Sequence, residues 1–212
     1  MRKLPVFLLL DTSGSMMGEP IEAVKNGVQI MISALRQDPH AIETAHLSVI
    51  TFDDKARQVV PMTDLNSFQL PDLSANGVTA MGDALEVLAG CIDRDVKTTS
   101  AEQKGDWKPM VFIFTDGMPT DDMFYGLSEF RRRKIACTVA CAAGANADTE
   151  VLKEITDNVL KIDVMDGQSI SQFFAWVTAS IGVSSTAVES SGKEAVGFND
   201  LPPPPSELNI VT

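Results

Sequence analysis

Two strongly apolar runs in this chain stop on an aspartate. Residues 6–10 read VFLLL and lead into Asp11, and PMVFIFTDG (109–117) reaches Asp116 in the same way. A segment that is apolar at successive positions, without alternation, suits a strand buried on both faces. Such strands belong to mostly parallel sheets whose two faces are covered by helices. The chain is therefore restricted to an α/β architecture before any motif is considered.

The segments between the runs agree with this. Ile21, Val24, Val28, Met31, Ile32 and Leu35 recur at helical spacing after Pro20, which a first helical turn tolerates. AHLSVITF (45–52) reads as a second strand and ARQVVPM (56–62) as a shorter third, joined by the hairpin-length link DDK. Met81, Leu85, Leu88 and Ile92 mark the next helix, with Thr79 as its expected N-cap. Met123, Leu127 and Phe130 mark another. It is expected to start at Asp121 and Asp122 and to carry RRRK (131–134) at its far end, where basic side chains complement the helix dipole. KIACTVACAAG (134–144) is a fifth strand, 149–155 a short helix and NVLKIDV (158–164) a sixth strand. Ile170, Phe173, Phe174, Val177 and Ile181 form a last helix. The alternation predicts a doubly wound, mostly parallel six-stranded sheet in the order 3-2-1-4-5-6. Helices cover both faces, and only the short third strand is antiparallel.

This pattern spans residues 1–183. The remainder, 184–212, has no sustained period, and its four consecutive prolines at 202–205 favour an extended stretch. It is expected to be a flexible tail, or a docking strip for a partner or for the domain itself, because Leu201, Leu208, Ile210 and Val211 are apolar. Seventeen basic against 29 acidic residues leave a net charge of −12. Such a surface repels phosphate backbones and anionic lipid, which argues against nucleic-acid and membrane partners. Cys91, Cys137 and Cys141 match no zinc spacing and make an odd count for a disulfide framework, so they read as small buried thiols in a reducing compartment. The start, MRKLPVFLLLD, imitates a secretory signal, but Asp11 interrupts the apolar run and no small-residue cleavage site follows. No apolar stretch reaches the length of a membrane span. The expected location is cytoplasmic.

Ligands of open α/β sheets sit beyond the carboxyl ends of the strands, where the winding direction reverses. Strands 1 and 4 are neighbours at that reversal, so Asp11 and Asp116 should face each other across one crevice. Two unpaired carboxylates at such a distance are unfavourable, and a cation resolves the conflict. Ser13 and Ser15 leave the same loop as Asp11, and NGVTAMGDAL (76–85) brings Thr79 to a helix N-terminus. Hydroxyl and carboxylate oxygens are hard donors that suit Mg²⁺, Mn²⁺ or Ca²⁺ rather than zinc.

The segments DTSGS, GVTAMGDAL and IFTDG resemble the three parts of the metal-ion-dependent adhesion site (MIDAS) of von Willebrand factor A domains. The resemblance covers about residues 4–182 and matches Asp11, Ser13, Ser15, Thr79 and Asp116 in order. It implies that the two serines bind a divalent cation directly, and that Thr79 and the aspartates bind it directly or through water. It also implies that a carboxylate from a partner protein fills the open position, making the protein a metal-dependent clamp and not an enzyme. The short chain and proline-bearing tail are most similar to the bacterial TerY/YegL tellurium-resistance group. That likeness implies a scaffold or signalling role beside phosphatases and kinases of a stress system.

Enzymatic readings fit less well. An aspartic protease needs two Asp-Thr-Gly copies, whereas Ser13 replaces the glycine and FTDG is not a second copy. A serine hydrolase needs a histidine base. The only histidines are His40, in an expected loop, and His46, at the start of a strand. A metal-dependent phosphohydrolase is the strongest alternative, since a cation and Asp116 could act on phosphate. It would want a basic residue at the phosphoryl group, and the only dense basic run is RRRK at the far end of a helix.

Overall fold

The structure is a computed structural model that describes residues 2–145 and 147–211. Its sheet has seven strands in the order β3-β2-β1-β4-β5-β6-β7. β1 (Leu4–Asp11) and β4 (Met110–Thr115) lie side by side near its middle. β2 (Ala45–Phe52) and β3 (Ala56–Asp64) extend one wing; β5 (Cys137–Ala143), β6 (Val159–Ile162) and β7 (Asn209–Val211) extend the other. The inner pairings are parallel, while β3 on β2 and β7 on β6 are antiparallel. The expected order holds for the first six strands, and the seventh corrects the expectation of a single antiparallel strand.

The apolar runs split between two faces because alternate residues of a strand point oppositely. Val6, Leu8 and Leu10 face α1 (Glu19–Leu35), α2 (Pro39–Thr44) and α6 (Gly167–Ser190). Phe7 and Leu9 face α3 (Met81–Asp95), α4 (Phe124–Arg131) and α5 (Thr149–Ile155). Burying each such side chain contributes about 1.5–3 kcal/mol, which is why both central strands can be apolar throughout. Cys91, Cys137 and Cys141 are all free and buried.

Two helix pairs depend on missing side chains. A Cβ on Gly27 of α1 would collide with the Phe174 ring of α6, and one on Gly126 of α4 would collide with the Gly82 carbonyl oxygen of α3. The second contact matters for function, because it seats α4 and the loop before it against the start of α3. That loop is not yet helical at Asp121 and Asp122. Helix α4 begins at Phe124, whose N–H donates to Asp122 Oδ1 at 2.8 Å.

The expected boundary at 183 falls inside α6, which continues to Ser190. Beyond it, Leu201 and Leu208 are buried, and Trp176 Nε1 donates to the Pro202 carbonyl at 2.8 Å. Ile210 then pairs with Leu160, which covers the edge of β6. The segment holding His40 is also helical, as α2. Asp38 caps it by accepting from the N–H groups of His40 and Ala41, and Pro39 occupies its first turn.

Candidate metal centre

The register between β1 and β4 sets the site. Leu10 pairs with Phe114, so Asp11 stands beside Thr115 and Asp116 lies one residue beyond the shared end. Thr115 Oγ1 donates to Asp11 Oδ2 at 2.6 Å, and the Ser13 N–H donates to Asp11 Oδ1 at 2.8 Å. Both oxygens of the buried Asp11 are therefore fixed. A single 3₁₀ turn over Gly14–Met16 then brings Ser13 Oγ within 3.0 Å of Ser15 Oγ. Ser15 Oγ donates in turn to Asp116 Oδ1 at 2.7 Å. The loop is held from below by Thr12 N–H on the Phe52 carbonyl and from the side by Gly14 N–H on the Gly77 carbonyl.

Thr79 joins the same group. Its N–H donates to Thr120 Oγ1 at 3.2 Å, and its carbonyl accepts from the Thr120 N–H at 2.9 Å. Its hydroxyl lies so close to Gly117 that a Cβ there would stand 2.8 Å from Thr79 Oγ1. All five residues picked out in the sequence thus meet at one place, three of them linked by side-chain hydrogen bonds. Thr79 is not the N-cap of α3. That position is Ala80, which offers no capping side chain, and the Asp121 carboxylate instead accepts from the N–H groups of Gly82 (3.0 Å) and Asp83 (2.9 Å). The Thr79 hydroxyl thus lies beside Gly117 and takes no part in capping α3.

Burial pushes the Asp11 carboxyl above its usual range, and the nearby Asp116 charge adds to the effect. Hydrogen bonds from Ser13 and Thr115 oppose it without cancelling it. Asp116 is likewise raised, chiefly by burial. Among the described residues no basic side chain hydrogen-bonds to any of the five. The histidines are engaged elsewhere: His40 Nδ1 lies 2.6 Å from Glu189 Oε2, and His46 Nδ1 lies 3.2 Å from the Thr44 carbonyl. Arg132 and Arg133 pair with Glu129, Arg133 also with Asp93, and Arg131 binds the Glu154 carbonyl. The chemistry present is two carboxylates and three hydroxyls in a low-dielectric crevice. That donor set fits a hard divalent cation.

The family model for the von Willebrand factor type A domain matches residues 6–175. The chain belongs to this family. A curated relative, an uncharacterised protein of Synechocystis sp., is 32% identical over 123 residues, which is 55% of this chain and 26% of that protein. The von Willebrand factor type A structure from Catenulispora acidiphila superposes with a TM-score of 0.62 at 20% identity, covering 86% of this chain and 43% of that one. Proximal thread matrix protein 1 of the mussel byssus, solved with a zinc-occupied MIDAS motif, gives 0.59 at 19% identity over 84% of this chain and 45% of its own. The chain thus spans about a quarter of the curated relative and under half of these two structures.

Reading the sequence alone missed Thr115, Thr120 and Asp121, the residues that hold the five in place. Thr115 had a visible signal, as the one polar residue closing an otherwise apolar run. Thr120 and Asp121 had none, because their partners lie 41 and 39 positions away.

Proposed function

We propose that this domain is a metal-dependent protein-binding module. Asp11, Ser13, Ser15, Thr79 and Asp116 hold one divalent cation, Mg²⁺ first, with Mn²⁺ or Ca²⁺ as alternatives, and an acidic side chain of a partner protein completes the site. The observation that carries this reading is the pair of buried carboxylates, Asp11 accepting from the Ser13 N–H and Asp116 from the Ser15 hydroxyl, with no basic side chain among the described residues bonded to either. Two such groups oppose each other unless a cation lies between them. A bound cation supplies an electrophilic centre for an anionic ligand. Thr115 and the Ser13 N–H hold the Asp11 carboxylate still, and Ser15 orients Asp116. The zinc-occupied site of the byssus matrix protein supports the choice of site class. On the likeness to the tellurium-resistance group, we place the module in the cytoplasm as a scaffold or signalling component beside a phosphatase or kinase.

The test is capture of partners from the native extract by wild type, Ser13→Ala and Asp116→Ala, with and without EDTA. Partners should be recovered by wild type, lost in EDTA, restored by Mg²⁺ or Mn²⁺, and absent from both variants. Equal recovery from all three proteins and in EDTA refutes the reading.

A further inference from the structure

Each of the three loops that form the site also exposes one large apolar side chain beside its donor. Met17, 66% exposed, follows Ser15 by two residues; Val78, 49% exposed, precedes Thr79; Met118, 59% exposed, follows Asp116 by two. Phe124 and Tyr125, 80% and 59% exposed, open α4 just after the loop that Thr120 and Asp121 bind to Thr79 and the start of α3. Among the described residues nine large apolar side chains are exposed, and these five are the majority. Helix α4 packs through Gly126, Leu127 and Phe130 and leaves Phe124 and Tyr125 on its outer face. Apolar groups gathered in this way mark an interaction surface.

The electrostatics of the rim narrow the occupant. Glu19 at the start of α1, Asp54 in the β2–β3 link beside Val78, and Asp122 in the loop before α4 are exposed around the rim, so an arriving carboxylate meets several acidic groups before it reaches the cation. Apolar contact around the carboxylate offsets that repulsion without adding charge. The geometry points to a protein segment whose metal-seeking acidic side chain stands between apolar side chains, which seat on Met17, Val78, Met118, Phe124 and Tyr125. This rests on the metal-dependent module proposed above and specifies its ligand. Two of the five are methionines, whose flexible, polarisable side chains repack around different apolar shapes. The rim therefore selects a class of segment rather than one sequence.

The test is selection from a random peptide display library in Mg²⁺, using wild type and a Met118→Ser, Phe124→Ser double variant. Both substituted positions are exposed; circular dichroism checks the fold, and calorimetry should show Mg²⁺ affinity unchanged. Wild type should select peptides with Asp or Glu within two positions of Leu, Ile or Phe. The double variant should bind those peptides about a hundredfold or more weakly, the scale of two lost apolar burials. Peptides with an acid but no apolar neighbours, bound equally by both proteins, overturn the inference and leave the module intact. Peptides without an acid, bound equally in EDTA, overturn the module and the inference together. A wild-type dimer in sedimentation that the double variant abolishes assigns the rim to a second copy and also overturns it.

Discussion

Gly126→Ala probes how firmly α4 seats the loops of the proposed metal site. An added Cβ would overlap the Gly82 carbonyl oxygen, with the Gly82 carbonyl carbon at 3.0 Å and the Glu86 nitrogen at 3.3 Å. All three are backbone atoms of α3, so none can rotate away. Overpacking of this kind costs about 1–3 kcal/mol, and rigid neighbours place it in the upper part of that range. Alanine recovers about 1 kcal/mol through helix propensity, which leaves a net loss of about 1–2 kcal/mol. In a domain of this size that lowers Tm by about 2–8 °C. The control is Gly90→Ala in the exposed face of α3, where no atom lies within 4 Å of the new Cβ. There the propensity gain stands alone, and Tm should rise by about 2–4 °C. Differential scanning calorimetry of both variants gives the answer directly. Because a displaced α4 carries Thr120 and Asp121 with it, Mg²⁺ affinity should also fall in Gly126→Ala and not in Gly90→Ala. If Gly126→Ala is as stable as wild type, or if both variants shift the same way, the reasoning from backbone contact is wrong.

Saturation of the proposed site with Mg²⁺ at a hundred times its Kd should stabilise wild type by about 2.7 kcal/mol. Asp116→Asn should show no such gain in a thermal melt, and an equal gain would count against the ligand set. His40 is held above its ordinary 6.5 chiefly by the hydrogen bond to Glu189. Its contribution is therefore complete below pH 6.5 and fades as pH rises through the raised folded value. An NMR titration should give a pKa above 6.5 that returns toward it in Glu189→Gln, and an unchanged value would refute the pairing. Leu208→Ala should cost about 2 kcal/mol, the low end for a buried leucine because the tail can settle into the space. It should also expose the β6 edge to proteolysis of the tail, and unaltered digestion would argue that β7 is held by other contacts.

The parts of this molecule that were legible in the sequence are those written in local pattern. Residues 6–10 and the run before Asp116 announce doubly buried strands, and from those the sheet order and the crevice follow. Asp11, Ser13 and Ser15 fall within one turn of chain, and Thr79 and Asp116 each stand at the end or start of a recognisable element. Their meeting is visible once the order is known. The Asp121 cap on α3 is not legible, because a helix N-terminus accepts any nearby carboxylate and this one comes from a loop 39 residues on. β7 escaped because three residues carry no period, and its pairing is fixed by the Trp176–Pro202 bond and by buried Leu201 and Leu208. The short α2 was hidden because the segment around His40 was expected to be a loop, whereas Pro39 stands in the first turn of a helix, where its missing N–H costs nothing.

The donor set also explains how an acidic chain could attract an acidic ligand. At physiological ionic strength charges are screened beyond about 8 Å, so the overall −12 weighs less at contact than the groups lining the crevice. Were the inner donors all carboxylates, a divalent cation would be neutralised by the protein itself. Ser13, Ser15 and Thr79 instead contribute neutral oxygens, and one oxygen of each aspartate is already engaged by a hydroxyl of the chain. A cation held mainly by such neutral donors, as proposed, would stay electrophilic toward a ligand from solvent. Among the described residues the two aspartates lie buried without a basic partner, and hydrogen bonds that add no competing positive charge offset only part of the cost of burial. A lysine or arginine at Asp11 or Asp116 would stabilise the fold more simply, and it would occupy the position that the proposed function requires to be filled by metal.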